Sequence, residues 1–119
     1  MPEIPEVETT LRGIEPHLLN NRIARVVVRD ARLRWPVPDE VRQAEGQTFI
    51  SLRRRGKYLL LHLENGGLLI HLGMSGSLRI LQNAPAPEKH DHVDIELENG
   101  TCLRFNDPRR FGAFLWVDG

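Results

Sequence analysis

The chain has 119 residues, enough for one domain with a proper core, and its hydrophobic fraction of 40% and charged fraction of 27% are those of an ordinary soluble globular protein. Sixteen basic residues balance sixteen acidic ones, so any nucleic-acid partner has to be argued from where the charges sit, not from their sum. A single cysteine, Cys102, excludes an intramolecular disulfide and a cysteine-based zinc finger within the chain. With no membrane-length apolar run and no signal-peptide layout, a reducing, cytoplasmic location is expected.

The first eight residues, Met1-Pro2-Glu3-Ile4-Pro5-Glu6-Val7-Glu8, carry the most chemistry. If Met1 is removed, as a starting Met before a small residue often is, the Pro2 nitrogen becomes a free secondary amine. An α-amino group titrates near about 8, so roughly a tenth of it is neutral at pH 7; a lysine near about 10.4 offers about one molecule in a few thousand. A terminal amine is thus the better-poised nucleophile toward a carbonyl or sugar carbon, and its carbon adduct is an iminium ion, an electron sink. Glu3 is a carboxyl group one residue away that can pass protons to and from the reacting centre. Pro5 suits a first helical turn, and Glu6 and Glu8 sit near its positive end. Read as structure alone, the same residues are simply a helix start, and at this point both readings stand.

Val7, Leu11, Ile14 and Leu18 recur at helical spacing, so one amphipathic helix is expected over 5–20, ended by Asn20-Asn21. Residues 23–29 are rich in β-branched side chains and predict a strand. Asp39 is expected to cap a short helix over 40–44. From Thr48 onward the pattern is all β. Strands are expected over 48–54, 57–63, 68–72, 77–81, 92–98, 101–105 and 114–117, with hairpin turns at Glu64-Asn65-Gly66-Gly67 and Asn99-Gly100. Residues 82–89, with Pro85 and Pro87, predict an exposed loop. In 92–98 Val93, Ile95 and Leu97 alternate onto one face. About eight short strands behind one long helix make the expected fold mainly β (α+β), a two-sheet antiparallel β-sandwich with the helix packed on it or covering an edge. The chain stops at Gly119 without a helix or cap, as a boundary would.

Four further clusters stand out. Arg53-Arg54-Arg55-Gly56-Lys57 is a basic run at a turn: the arginines suit a solvated sheet edge, and Lys57, directly after a glycine, is as well suited to a phosphate. His71-Leu72-Gly73-Met74-Ser75-Gly76 brackets Met74 with glycines; an apolar side chain so presented can enter a base stack, although Met also fills core gaps. His71 by itself suits a half-buried, hydrogen-bonded role. His90-Asp91-His92 tempts a metal reading, but no third ligand has a suitable spacing, and His90 is better taken as a hydrogen-bond donor to an anion. Asn106-Asp107-Pro108-Arg109-Arg110-Phe111-Gly112 combines guanidinium groups with an aromatic ring, as a base-stack intruder does, with Asp107 expected to pair with Arg110 inside the turn.

These stretches, from Pro2 through Lys57, His71–Gly76 and Lys89–His92 to Asp107–Gly112, resemble formamidopyrimidine-DNA glycosylase. The resemblance runs the length of the chain with the motifs in the family's order, and it is highly specific. The Met-containing loop and the Arg-Arg-Phe turn favour this oxidised-purine branch over the related endonuclease VIII branch. The resemblance implies that residues 1–119 are the N-terminal catalytic domain of a bifunctional DNA glycosylase and abasic-site lyase acting in base-excision repair. It implies that Pro2 attacks the sugar C1′ and displaces an oxidised purine such as 8-oxoguanine or a formamidopyrimidine, that Glu3 protonates the opening sugar ring, and that β- and δ-elimination then cut the strand. It assigns phosphate binding and proton donation to Lys57, DNA contacts to His71, His90 and Arg109, and the gap left by the flipped nucleotide to Met74, Arg109 and Phe111. Damaged double-stranded DNA is the implied partner, with no membrane and no obligate protein partner, and the whole enzyme is expected to be monomeric. The family's helix-two-turn-helix and four-cysteine zinc-finger domains are absent, so zinc is expected there and no cofactor here. The 119 residues alone are expected to be inactive or very weak, with DNA affinity no better than the nonspecific range of about 10⁻⁴–10⁻⁶ M. The competing expectations are an oxidised-pyrimidine glycosylase of the endonuclease VIII type and a non-catalytic DNA-binding β-sandwich.

Overall fold

A computed structural model of the chain describes residues 2–119; the expected loss of Met1 concerns a residue outside that range. The helix α1 spans Ile4–Leu18 and buries Val7, Leu11, Ile14 and Leu18, the stripe its periodicity predicts. It ends two residues earlier than expected. Leu19 leaves helical geometry to bridge to Phe49, and the Asn20 N–H donates to the Phe49 carbonyl at 2.9 Å, so pairing with the sheet takes over from the helix.

Eight strands follow: β1 (Ile23–Val28), β2 (Phe49–Arg55), β3 (Tyr58–Leu63), β4 (Gly67–His71), β5 (Ser77–Gln82), β6 (Asp91–Leu97), β7 (Thr101–Asn106) and β8 (Ala113–Val117). They form two four-stranded sheets, ordered β1-β6-β7-β5 and β2-β3-β4-β8, with every pairing antiparallel. Between them lie Phe49, Leu59, Leu61, Ile70, Ile95, Phe105 and Phe114, all buried. A sandwich of two open sheets has two unsealed sides. α1 packs on β2, β3 and β5 and closes the side where edge strands β2 and β5 meet. The 3₁₀ helix Asp39–Ala44 packs on β1, β4 and β8 and closes the other. Asp39 is the first residue of that helix and Pro38 precedes it, with no side-chain cap; the expected Asp39 cap is therefore not formed. Among the described residues, no helix is long and apolar enough to cross a membrane.

Strand β6 departs from simple alternation. Val93, Ile95 and Leu97 do face the core, but Asp91, His92 and Asp94 are buried as well. Their cover is polar. The Asp94 carboxylate accepts two hydrogen bonds from Arg104, both at 3.0 Å, and one from Arg29 at 2.6 Å. A register shift between Asp91 and Val93 brings Asp91 to the same network, where it accepts from Arg79, Asn106 and the Glu88 N–H. Arg104 reaches on to the Pro85 carbonyl at 2.9 Å and so ties down the Pro-rich loop. Burial opposes ionisation of Asp94, but these donors outweigh it and hold its carboxyl below the usual range. Cys102, beside Asp94, is buried, and its thiol is pushed up to about 12, which leaves it unreactive.

Arg104→Ala should cost about 3–5 kcal/mol in urea unfolding, because it removes two of the three arginine hydrogen bonds to the buried Asp94 carboxylate. The double variant Arg104→Met/Asp94→Leu should recover most of that loss. Equal destabilisation by both would mean that the pair does not set the cost.

Candidate functional site

The site is assembled from four segments. At the N-terminus Pro2 is half-buried and Glu3 is extended, with φ −89° and ψ 168°. Glu6 reaches back to accept the Glu3 N–H at 3.2 Å, while the Glu3 carbonyl accepts the N–H groups of Glu6 and Val7, each at 3.0 Å. The Glu3 backbone is thus fixed at the start of α1, and its carboxylate lies 3.5 Å from the Lys57 ammonium. Lys57 follows Gly56, whose φ of +59° makes the β2–β3 turn. Arg54 holds that turn against the helix, donating to Glu8 at 2.7 Å and to the Gly56 carbonyl at 2.9 Å. The arginine run is therefore more than a solvated edge: Arg54 positions Lys57 beside Glu3.

Tyr58, next along β3, pairs in register with His71 on β4, and their rings stand 4.7 Å apart. His71 Nδ1 accepts the Gly73 N–H at 3.0 Å, which leaves the proton of the neutral ring on Nε2. Burial, and then the positive charges of Lys57 and Arg34, push the His71 pKa down. His71, Gly73, Met74, Phe111 and Arg34 line one cleft of about 280 Å³. Met74 and Phe111 stand 40% and 48% exposed, so Met74 fills no core gap. The Arg109 guanidinium lies 5.5 Å over the Phe111 ring. A larger cleft of about 680 Å³ opens on the outer face of the second sheet, where the cross-strand row Leu60, Leu69 and Leu115 makes it mainly apolar; Tyr58 is its nearest link to the site.

The fully buried Asp107 joins the loop after β4 to the loop after β7. Its Oδ1 accepts the Ser75 hydroxyl at 2.8 Å and the Arg110 N–H at 3.2 Å, and its Oδ2 accepts the Gly112 N–H at 2.8 Å. Ser75 Oγ in turn accepts the Arg109 N–H at 3.0 Å. The two loops also touch backbone to backbone: a Cβ on Gly73, where φ is +61°, would lie 2.5 Å from the Gly112 nitrogen. The expected side-chain pair between Asp107 and Arg110 does not form. Asp107 is consumed by hydroxyl and backbone donors, and the Arg110 guanidinium crosses to Asp30 at 2.9 Å and the Arg32 carbonyl at 2.7 Å.

His90 is not among the residues lining the cleft. It lies beside the Asp107 turn, with its carbonyl accepting the Asp107 N–H at 3.1 Å, and its ring meets His92 edge-on at 5.9 Å. His92 Nε2 is 3.0 Å from the Asp107 carbonyl, so it is the donor there. Among the described residues, no group of three His, Cys, Asp or Glu side chains is placed to hold a metal ion. Contacts thus run from Glu3 through Lys57, Tyr58 and His71 to Met74, Phe111 and Arg109, with Pro2 next to Glu3, while His90 stands beside the Asp107 turn outside the cleft lining. Sequence reasoning named Asp107 with a different partner and gave no positioning role to Arg54, which lies in β2, or to Ser75, in the turn after β4.

The fold and this surface define an antiparallel β-sandwich fronted by a helix, with the N-terminal segment and two linked loops on one side. A family model described as "Formamidopyrimidine-DNA glycosylase N-terminal domain" matches residues 1–114, and the chain belongs to that family. It is 59% identical to the formamidopyrimidine-DNA glycosylase of Stutzerimonas stutzeri (strain A1501) over 119 residues, which cover 99% of this chain and 44% of the relative. To the same enzyme of Shigella dysenteriae serotype 1 it is 60% identical over 117 residues, covering 98% and 44%. Among solved structures, wild-type Lactococcus lactis Fpg (MutM) in complex with a DNA containing N7-benzyl-Fapy-dG matches with a TM-score of 0.89 at 28% identity, over 98% of this chain and 44% of that one. The same protein bound non-covalently to DNA containing an AP site matches with a TM-score of 0.89 at 28% identity, over 98% and 45%. The chain therefore spans less than half the length of the relatives it matches.

Gly73→Ala should destabilise the domain by at least about 1–2 kcal/mol in urea unfolding, since it adds left-handed backbone strain to a backbone collision. Ser75→Ala should cost about 1–3 kcal/mol by leaving an Asp107 lone pair and the Arg109 N–H without a partner. An unchanged midpoint in Gly73→Ala would mean that the two loops are not in contact.

Proposed function

We propose that this domain supplies the nucleophile and the base-stack wedge of a bifunctional DNA glycosylase and abasic-site lyase that removes oxidised purines in base-excision repair. With Met1 gone, the Pro2 amine attacks C1′ of the damaged nucleotide, the C1′–base bond breaks, and Glu3 protonates the opening sugar ring. The resulting iminium acidifies the neighbouring sugar carbon, and β- and δ-elimination expel the two phosphates in turn. Lys57 holds a phosphate and donates a proton during β-elimination. Met74, Phe111 and Arg109 fill the space of the extruded nucleotide and offset part of an unstacking cost of a few kcal/mol. His71 contacts the DNA backbone within the cleft, and His90 does so beside the Asp107 turn.

The observation that carries this reading is the Glu3–Lys57 pair at 3.5 Å, one residue from Pro2. An acid and an ammonium flank the candidate amine on a surface that continues through Tyr58 and His71 to the exposed Met74 and Phe111. A plain helix start has no use for a lysine from another strand at that position. Membership of the family and the Lactococcus lactis complexes with damaged DNA support the substrate class. The whole enzyme works as a monomer, with lesion reading and most phosphate contacts supplied by the part of the relatives that this chain does not span.

Borohydride trapping on abasic-site DNA tests the reading. The demethionylated full-length protein should form a covalent adduct mapped to Pro2, and Glu3→Gln should cut glycosylase turnover far more than trapping on a preformed abasic site. No adduct, or an adduct on a lysine, contradicts it. A second outcome follows from His71, whose pKa is depressed in the free domain and which a bound phosphate should raise. Binding then takes up protons, so affinity for abasic DNA should rise as pH falls from about 8 to about 5.5, and His71→Gln should flatten that rise. A profile unchanged by His71→Gln removes His71 from the interface.

A further inference from the structure

Most arginines of the chain are paired with carboxylates, which is how it carries so many guanidinium groups at zero net charge. Among the described residues Arg34 and Arg109 are different: neither guanidinium has an anionic or hydrogen-bonding partner, and each rests on an aromatic ring. Arg109 lies 5.5 Å over Phe111, and Arg34 lies 4.9 Å over Trp35. An aromatic support orients a guanidinium while leaving its N–H donors available to a ligand.

Arg34 belongs to the segment between β1 and the 3₁₀ helix, which the sequence marks only by its prolines. The segment is held to the wedge by Arg110, which donates to Asp30 and to the Arg32 carbonyl. Asp30 also takes the Arg32 guanidinium, at 2.9 and 2.8 Å, so Arg32 is occupied and Arg34 is not. The staple brings Arg34 to the wall of the cleft formed by His71, Gly73, Met74 and Phe111. Its charge is felt there, since it contributes to the depression of the His71 pKa. Arg55 likewise has no carboxylate partner, but it lines the apolar cleft on the outer face of the second sheet.

We propose that Arg34 is a further DNA-contacting residue of this domain, taking a backbone phosphate beside the wedge. The inference rests on the DNA-binding reading above and adds a residue to it. Arg34, on the cleft wall with Met74 and Phe111, and Arg109, over the Phe111 ring, then hold the backbone while the stack is opened. A phosphate contact is sequence-independent and releases counterions, so its removal has a signature that loss of an apolar contact lacks.

The test is fluorescence anisotropy with a duplex carrying one tetrahydrofuran abasic analogue, at several salt concentrations between roughly 20 and 150 mM. Arg34→Ala should weaken binding about three- to tenfold and make the slope of log K against log salt shallower by about one; Arg34→Lys should keep the slope. Met74→Ala should weaken binding with the slope unchanged. Arg34 is exposed, so Arg34→Ala should keep the parent's thermal midpoint, and Arg34→Gln repeats the charge removal with more of the side chain kept. Parent-like slopes in both Arg34→Ala and Arg34→Gln, with the parent binding normally, overturn the assignment and leave the DNA-binding reading intact. Absence of salt-dependent binding by the parent overturns both.

Discussion

The buried carboxylate of Asp107 is the interaction on which the candidate site depends. One loop leaves β4 in the second sheet; the other runs from β7 in the first sheet to β8 in the second. Strand pairing sets the ends of the two loops side by side, Ala113 opposite His71 and Asn106 opposite Ser77. Asp107 ties the loops together between those ends, because its oxygens take a hydroxyl from one loop and two backbone N–H groups from the other. A carboxylate in a dry interior is costly unless its lone pairs are filled, and here they are. Its own backbone is satisfied too, by the His90 carbonyl and the His92 ring. The side chains proposed to enter the DNA stack therefore project from a single rigid body. Unstacking a base needs a wedge that does not yield.

The charge distribution follows the same logic. The arginines of the first sheet are spent on Asp91, Asp94 and Glu96, and Arg54 is spent on Glu8 to set the Lys57 turn. Beside one cleft two guanidinium groups lie on aromatic rings, and burial with nearby positive charge pushes the His71 pKa down. A chain without net charge can thus present a local positive field, and local field governs encounter with a polyanion. The N-terminal segment joins this surface through Glu3 and Lys57, so the proposed chemistry and the proposed wedge share one continuous face.

Much of this was legible in the sequence. The spacing of Val7, Leu11, Ile14 and Leu18 gave the helix and its buried stripe. Alternation and turn residues gave all eight strands to within a residue or two, because hydrophobic period and turn chemistry are local properties. Interactions that join distant residues were not legible. Nothing local to Asp91 and Asp94 announces that Arg29, Arg79 and Arg104 will cover them. Arg110 looked committed to Asp107, three residues away, and instead reaches Asp30 across the sandwich. Arg34 stood out in no pattern, because its significance lies in lacking a partner, which only a census of the folded chain reveals. The motif residues themselves were visible as odd choices for a strand end or a turn, such as a methionine between glycines.

The central claim is that Glu3, Lys57, His71, the Met74 loop and the Arg109–Phe111 turn form one DNA-facing surface. Amide chemical-shift mapping of the isotope-labelled domain during titration with an abasic duplex tests it most directly. The account predicts perturbations confined to residues 3–6, 34–35, 56–58, 71–76, 89–90 and 107–112, with the outer face of the β1-β6-β7-β5 sheet unmoved. Perturbations centred on that outer face, or on the apolar row Leu60, Leu69 and Leu115 while residues 3–6 and 71–76 stay still, would contradict it.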